Sequence, residues 1–274
     1  MGATKNERNI LVNKFRYHLR SDGLLPTIRR ASRYLRLRLR GKKKWEEVAN
    51  YSTTEEKFRA IYEHNLWGND ESVSGAGSTF RQTVNLREKL PKVFVDYSVK
   101  KVFDAPCGDF NWMKHLLPVV DVEYIGGDVV IPLIAANREN FASARVSFVD
   151  LDLITDDYPE ADLMICRDCL FHFSYADTKS TLQRFIDSRI PYLLTTTHIN
   201  SIGFENRDIE TGSFRLMDLF KAPYNFPSPP LLVIDDWLPP EPERQMCLWS
   251  REQVASVLKQ FDEATSAKDG PQSV

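Results

Sequence analysis

Between residues 100 and 250 the chain alternates short apolar runs with stretches of helical spacing. The runs at Lys101–Asp104, Val122–Gly126, Val146–Val149, Asp162–Cys166 and Tyr192–Thr197 read as strands. Met113, Leu116 and Leu117 mark a helix after the first run. Leu182, Phe185 and Ile186 mark another over Ala176–Ser188. A strand–helix alternation of this kind predicts a mostly parallel sheet with helices on both faces. Arg244–Trp249 predicts an antiparallel last strand that closes a final hairpin, and Ser250 is placed to cap a helix over Arg251–Phe261.

Ahead of the sheet, Thr53 or Thr54 can cap a helix over 53–66 that presents Phe58, Ile61, Tyr62 and Asn65 on one face. Trp67-Gly68 and the Gly/Ser-rich stretch 71–79 follow, then a second helix from about Thr79 to Leu90. A loop held between two helices reads as one folded over something. Residues 1–50 read as a helical extension. Pro26 suits the first turn of a helix there and Gly41 its end, with Ile28, Ala31, Leu35 and Leu39 at helical spacing between them. The alternation Leu35-Arg36-Leu37-Arg38-Leu39-Arg40 also fits a strand.

The chemistry concentrates at 102–112, Val-Phe-Asp-Ala-Pro-Cys-Gly-Asp-Phe-Asn-Trp. An apolar strand ends in a carboxylate, a Pro and a Gly force a tight turn, and a helix follows. Such a turn places free backbone N–H groups at the carboxyl edge of a sheet, where ligands of open α/β sheets bind. Gly108 lets a ligand come close to the backbone. The acids Asp104 and Asp109 suit a cationic or hydroxyl-bearing ligand better than a pyrophosphate.

This stretch resembles motif I of class I S-adenosylmethionine (SAM) dependent methyltransferases. It is similar to a bacterial-type branch that writes the motif DAPCGDFNW. Pro106 replaces the first Gly of the general pattern, and Phe110 stands where its last Gly would be. The strings W-G, SGAGS, YIGGD, CRDCLFH and YLLTTT follow the branch in order, over roughly residues 55–255. The resemblance implies a Rossmann-like, doubly wound, seven-stranded sheet with SAM as cofactor. It divides the chain into a basic extension (1–50), a methyltransferase domain (51–262, of which 51–98 form a helical lid) and a disordered tail (263–274). It implies cofactor contacts from Trp67, Ala105, Pro106, Cys107, Gly108, Asp109, Asn111, Trp112, Val129 and Arg167 around Asp104. Asp128, about 20 residues past the first turn, is placed for the ribose hydroxyls. In the resemblance Asp152 takes the adenine amino group with Leu151 beside the ring, and Arg81 is a candidate partner for the SAM carboxylate.

For the methyl acceptor the sequence offers three bases, in this order: His172, one turn into the helix after the fourth run, then Asp168 and His198 at strand ends. The spacing Cys166-x-x-Cys169-x-x-His172 lacks a second ligand pair, so a metal site is not expected. The polar–aromatic insert 203–230 carries Asp208, Arg215 and Tyr224, candidates to hold an acceptor, with Phe226 beside them. The expected reaction is O-methylation of a small molecule or glycan. N- or carboxyl-methylation and a non-catalytic SAM-binding adaptor are the alternatives.

The net charge of −2 conceals an asymmetry: residues 1–50 carry 14 Lys/Arg against 4 Asp/Glu, a net +10, and the rest of the chain −12. Two readings of the basic arm stay open. One is contact with an anionic membrane or nucleic acid through residues 25–44. The other is packing on the acidic body of the same chain or of a dimer mate. The acidic core makes a nucleic-acid groove unexpected. With no apolar run long enough to span a bilayer and no apolar leader, the expected location is the cytoplasm. The four cysteines, embedded in apolar runs, do not form a secretory disulfide pattern.

Overall fold

The computed structural model describes residues 5–200 and 202–266. The elements that build the sheet are β1 (Lys101–Asp104), β2 (Glu123–Asp128), β3 (Val146–Asp150), β4 (Leu163–Cys166), β5 (Tyr192–His198), β6 (Leu232–Asp235) and β7 (Arg244–Ser250). Their spatial order is β3-β2-β1-β4-β5-β7-β6. The first five pair in parallel, while β7 runs antiparallel to both β5 and β6. The order reverses between β1 and β4, which opens a crevice at their carboxyl ends.

Alternate residues of the central strands feed two cores. Phe103, Met164 and Leu193 join Leu182, Phe185, Val254 and Trp249 on one face. Val102, Leu163, Ile165 and Leu194 meet Leu86, Leu90, Phe94 and Met113 on the other. Because β1, β4 and β5 are covered on both sides, they read as nearly continuous apolar runs.

The N-terminal elements are α1 (Lys5–Asp22), α2 (Leu24–Asn50), α3 (Thr54–Glu63) and α4 (Val84–Asp96). α2 continues through Gly41, where the sequence suggested a stop, and residues 35–40 are helical rather than extended. Thr53 is the cap of α3 and forms a reciprocal box with Glu56. α4 starts later than expected and passes through Pro91. Leu86, Leu90, Val93 and Phe94 form one buried stripe across that proline, and their burial against the sheet outweighs the proline's cost of about 3 kcal/mol. Short helices α5 (Met113–Leu116), α6 (Ile131–Phe141) and α7 (Tyr175–Asp187) connect the strands. The C-terminal helix α8 (Arg251–Ser266) begins at Ser250, which accepts from the Gln253 N–H while Gln253 accepts from the Ser250 N–H. Residues 263–266, expected to lie in a disordered tail, belong to α8; the remainder of that tail, 267–274, lies outside the described residues.

The aromatic part of the insert 203–230 is packed rather than displayed. Tyr224 and Phe226 are buried, and Phe226 meets Trp249 at 4.6 Å.

Phe110, which replaces a motif glycine, keeps the glycine's backbone: its φ is +57°. That conformation costs a non-glycine residue about 1–2 kcal/mol. The ring offsets this by packing against Tyr124, Phe141 and Phe148 at 5.1–5.2 Å between centroids. Phe110→Ala should therefore destabilise by about 3–5 kcal/mol in urea titrations. Phe110→Gly should cost about 1 kcal/mol less than Phe110→Ala, because alanine retains the left-handed strain and glycine does not.

Candidate functional site

The carboxyl ends of β1 to β4 and the loop after β3 border one open cleft. Asp104 ends β1, Asp128 ends β2, Asp152 follows β3, and Arg167 and Asp168 follow β4; all five line it. Trp67, Pro106, Cys107, Gly108, Trp112, Val129, Leu151 and His172 line it as well. The sequence placed all of these at the site.

Asp104 is buried and accepts a hydrogen bond of 2.8 Å from the Tyr124 hydroxyl. Burial outweighs that bond and the charge of Arg167, and pushes its carboxyl up to about 7. Asp128 accepts from the backbone N–H of Gly108 (3.1 Å) and of Val130 (3.0 Å). Burial still dominates and pushes it up to about 6. Asp152 is half-buried, with its pKa raised by the same cause. Four carboxylates thus line one cleft; Asp168 is balanced by arginines, while burial leaves Asp104 and Asp128 raised. The chemistry of that set fits a ligand with positive charge and hydroxyl donors.

The motif loop itself is not an anion cradle. Its N–H groups are consumed internally: Cys107 donates to the Gly127 carbonyl, Gly108 to Asp128, Asp109 to Ser74 Oγ and Asn111 to Asp109. The free donors expected from the sequence are therefore spent on holding the turn, and α5 is a single turn.

Asp109 and Asn111 also turn out to be fasteners. The Asp109 carboxylate accepts from Ser72 Oγ, the Val73 N–H and Ser74 Oγ at 3.0–3.2 Å. Asn111 donates to Glu71 and to the Ser78 carbonyl, both at 3.0 Å. Arg167 Nη2 donates to the Gly77 carbonyl at 2.8 Å. Loop 71–78 is thereby pinned across the cleft, where Val73, Ser74 and Ser78 form part of the wall. Gly108 lies under it with φ +55°, and a Cβ there would fall 2.2 Å from Ser74 Oγ.

Beneath the loop lies a charge network absent from the sequence reading. Arg167 is bidentate to the fully buried Asp236 (2.8 and 3.2 Å), and Arg244 Nε lies 3.0 Å from Asp168. A Cβ on Gly77 would meet Asp168 Oδ2 at 2.6 Å, so only glycine can roof this network. Burial pushes the Asp168 pKa up, but Arg167 and Arg244 together outweigh it and hold the carboxylate below its usual value. A carboxylate stabilised in this way is a poor base.

His172 is half-buried on the cleft wall, in the 3₁₀ turn Leu170–His172 rather than in a helix. Its Nδ1 lies 2.7 Å from the Ser213 carbonyl. A carbonyl only accepts, so Nδ1 carries the hydrogen and Nε2 keeps its lone pair. Burial lowers the His172 pKa, which makes the ring neutral at pH 7.

Other expected contacts fall elsewhere. His198 is buried, pushed down to about 4 by burial and Arg244, and its Nδ1 accepts from the Met217 N–H at 3.2 Å. It does not line the cleft. Arg81 is exposed, with Nη2 3.5 Å from the Tyr17 hydroxyl, away from the cleft. Ala105 is fully buried beneath the turn. Arg215 is buried and donates to Tyr224 at 2.7 Å, which makes the pair part of the packing. Asp208 accepts from the Tyr175 N–H at the start of α7. None of these three insert residues reaches the cleft. Thr54, Phe58 and Tyr62 do, from one face of α3 at i, i+4 and i+8; the aromatic stripe before Trp67 was the available signal. Among the described residues, no group of three His, Cys, Asp or Glu is arranged to hold a metal.

No protein-family model and no curated protein matches the sequence. Solved structures do match in shape. A SAM-dependent methyltransferase from Leishmania major has a TM-score of 0.55 and 14% identity, over 74% of this chain and 88% of that one. Burkholderia thailandensis 1,6-didemethyltoxoflavin-N1-methyltransferase, solved with its substrate and S-adenosylhomocysteine, has a TM-score of 0.52 and 16% identity, over 76% and 89%. Human N-acetylserotonin methyltransferase, at 17% identity and a TM-score of 0.40, matches 58% of this chain, which spans about half (49%) of that longer protein. The chain has the Rossmann-like methyltransferase fold.

The raised carboxyls make stability depend on pH. The folded Asp104 holds its proton to about pH 7, whereas an unfolded aspartate releases it near 3.9. Between those values the folded state binds more protons, so stability falls as pH rises from about 4 to 7. Asp104→Asn should flatten that slope and make the ligand-free protein more stable at pH 8 by on the order of 2–4 kcal/mol. Urea titrations at pH 5 and pH 8 measure both effects.

Proposed function

We propose that this chain is a SAM-dependent methyltransferase that methylates a hydroxyl of a small molecule or glycan. One observation carries the reading. Separate strand ends deliver Asp104, Asp128 and Asp152 to a single cleft, and burial raises the pKa of all three. That set complements an adenosyl sulfonium with its amino group and ribose hydroxyls. Asp128 would take the ribose, Asp152 the adenine edge with Leu151 beside it, and Asp104 would face the cationic end. Loop 71–78, with Trp67, would close over the ligand and exclude water.

The cofactor supplies a sulfonium-bound methyl for in-line transfer; the protein supplies position and a proton acceptor. His172 is the residue suited to the second task. Its Nδ1–H is fixed on the Ser213 carbonyl, which leaves the lone pair on Nε2, and the residue belongs to the cleft wall. A hydroxyl acceptor loses its proton as the new bond forms, and Nε2 can take it. Asp168, held ionised by Arg167 and Arg244, acts as a positioning group and not as the base. An amine or carboxylate acceptor would not need His172, so this histidine favours oxygen as the methylated atom.

Transfer of a radiolabelled methyl group from SAM into fractionated cell extract tests the assignment. No labelled product in any fraction would count against it. With an acceptor in hand, His172→Ala should lower kcat by about 10²–10⁴-fold with little change in SAM affinity. The rate should rise with pH below about 6.5 and level off above it, because burial holds the imidazole pKa below its ordinary value.

A further inference from the structure

The basic arm carries an apolar face that the other described residues leave partly exposed. A surface helix ordinarily turns its apolar stripe inward. α1 does the reverse. Val12, Phe15 and Leu19, at i, i+3 and i+7, are 46, 42 and 38% exposed. Two polar contacts between α1 and the body, among the described residues, come from the far side of the helix. Lys14 Nζ meets the Glu241 carboxylate at 2.8 Å, and the Tyr17 hydroxyl lies 3.5 Å from Arg81. At the corner after Gly23, and in the first turns of α2, Leu24, Leu25 and Ile28 extend the exposed apolar surface at 58, 71 and 48%.

Charge identifies the occupant. Arg16, Arg20 and Arg29 are exposed beside these apolar positions. Residues 29–44 hold nine Lys/Arg and no acid. An apolar stripe flanked by cations is the pattern of a helix lying in a membrane interface, with its side chains at the acyl boundary and its cations among anionic headgroups. A second copy of the chain fits less well, since pairing two such faces would bring together two arms of net +10. Nucleic acid would meet the cations but leave the apolar stripe in water.

We infer that the α1–α2 arm docks the protein on an anionic lipid surface, with Phe15, Leu19 and Leu25 inserted and the neighbouring arginines on the headgroups. The arm then holds the catalytic body beside the membrane. The inference stands apart from the methyl-transfer assignment, because no residue of the arm lines the cleft.

Co-sedimentation with unilamellar vesicles tests it, using phosphatidylcholine alone and phosphatidylcholine with about 30% phosphatidylglycerol. The full chain should bind the anionic vesicles about tenfold or more tightly than the neutral ones, and raised salt should weaken that binding. Phe15→Glu/Leu19→Glu/Leu25→Glu should abolish sedimentation while thermal unfolding stays unchanged, since all three positions are exposed. Arg16→Gln/Arg20→Gln/Arg29→Gln should reduce binding and its salt dependence without removing the apolar contribution. Failure of the wild-type chain to sediment, or equal sedimentation of the triple glutamate variant, would overturn the inference. So would a lipid-free dimer by light scattering that the glutamate variant loses, which would give the face to a second copy. Binding to a single-stranded oligonucleotide tighter than to the anionic vesicles, and retained by the glutamate variant, would overturn it in favour of nucleic acid.

Discussion

The rest of the site depends on carboxylates held at the ends of parallel strands with too little charge to balance them. β1 and β2 deliver Asp104 and Asp128 into a buried rim because a parallel sheet must end all its strands on one side. The fold then withholds a close cation from Asp128 and gives Asp104 only a tyrosine hydroxyl and a more distant guanidinium. Such groups carry a cost in the ligand-free protein and return it when a cationic, hydroxyl-rich ligand arrives. The same economy appears in the motif loop, whose N–H groups hold the turn and the Asp128 carboxylate in place and leave no cradle for phosphate.

A second layer positions the first. Asp109, Asn111 and Arg167 each reach from the sheet edge to loop 71–78. Arg167 does so while bound to Asp236, which follows β6 directly, and Arg244 at the start of β7 completes the group. The antiparallel end of the sheet is thus coupled electrostatically to the loop that covers the cleft. Two guanidinium groups hold Asp168 ionised, while the neutral His172 on the same cleft wall keeps a lone pair on Nε2. Environment, rather than residue type, separates the roles of two neighbours that look equivalent in the sequence.

Much of this was legible in the sequence for identifiable reasons. Buried parallel strands leave long apolar runs, so β1, β4 and β5 lie within a residue of where the pattern puts them. Each strand ends in a residue that chemistry singles out, which exposes Asp104, Asp128 and the Arg167–Asp168 pair. What stayed hidden depends on contacts between distant segments. Asp109 and Asn111 look like ligand contacts until the loop 71–78 that they hold is in place. Arg215 and Tyr224 look like a polar–aromatic recognition pair, yet both are buried inside the insert, where Arg215 Nη2 donates to the Tyr224 hydroxyl. His198 shares a strand end with the cleft residues, but the Met217 N–H occupies its lone pair. The Asp236–Arg244 half of the charge network carries no local signal, since its partners are more than 60 residues away. Local propensity makes Gly41 a helix end and stops the second helix near Leu90, but α2 runs on through Gly41, and a buried stripe carries α4 through Pro91 to Asp96.

The central claim is that this rim holds an adenosyl sulfonium. Isothermal titration calorimetry of the full chain with SAM, S-adenosylhomocysteine and NAD tests it most directly. The account predicts saturable heat with SAM and with S-adenosylhomocysteine, loss of that heat in Asp128→Ala, and none with NAD. Absence of binding by both SAM and its demethylated product, or full binding retained by Asp128→Ala, would contradict it.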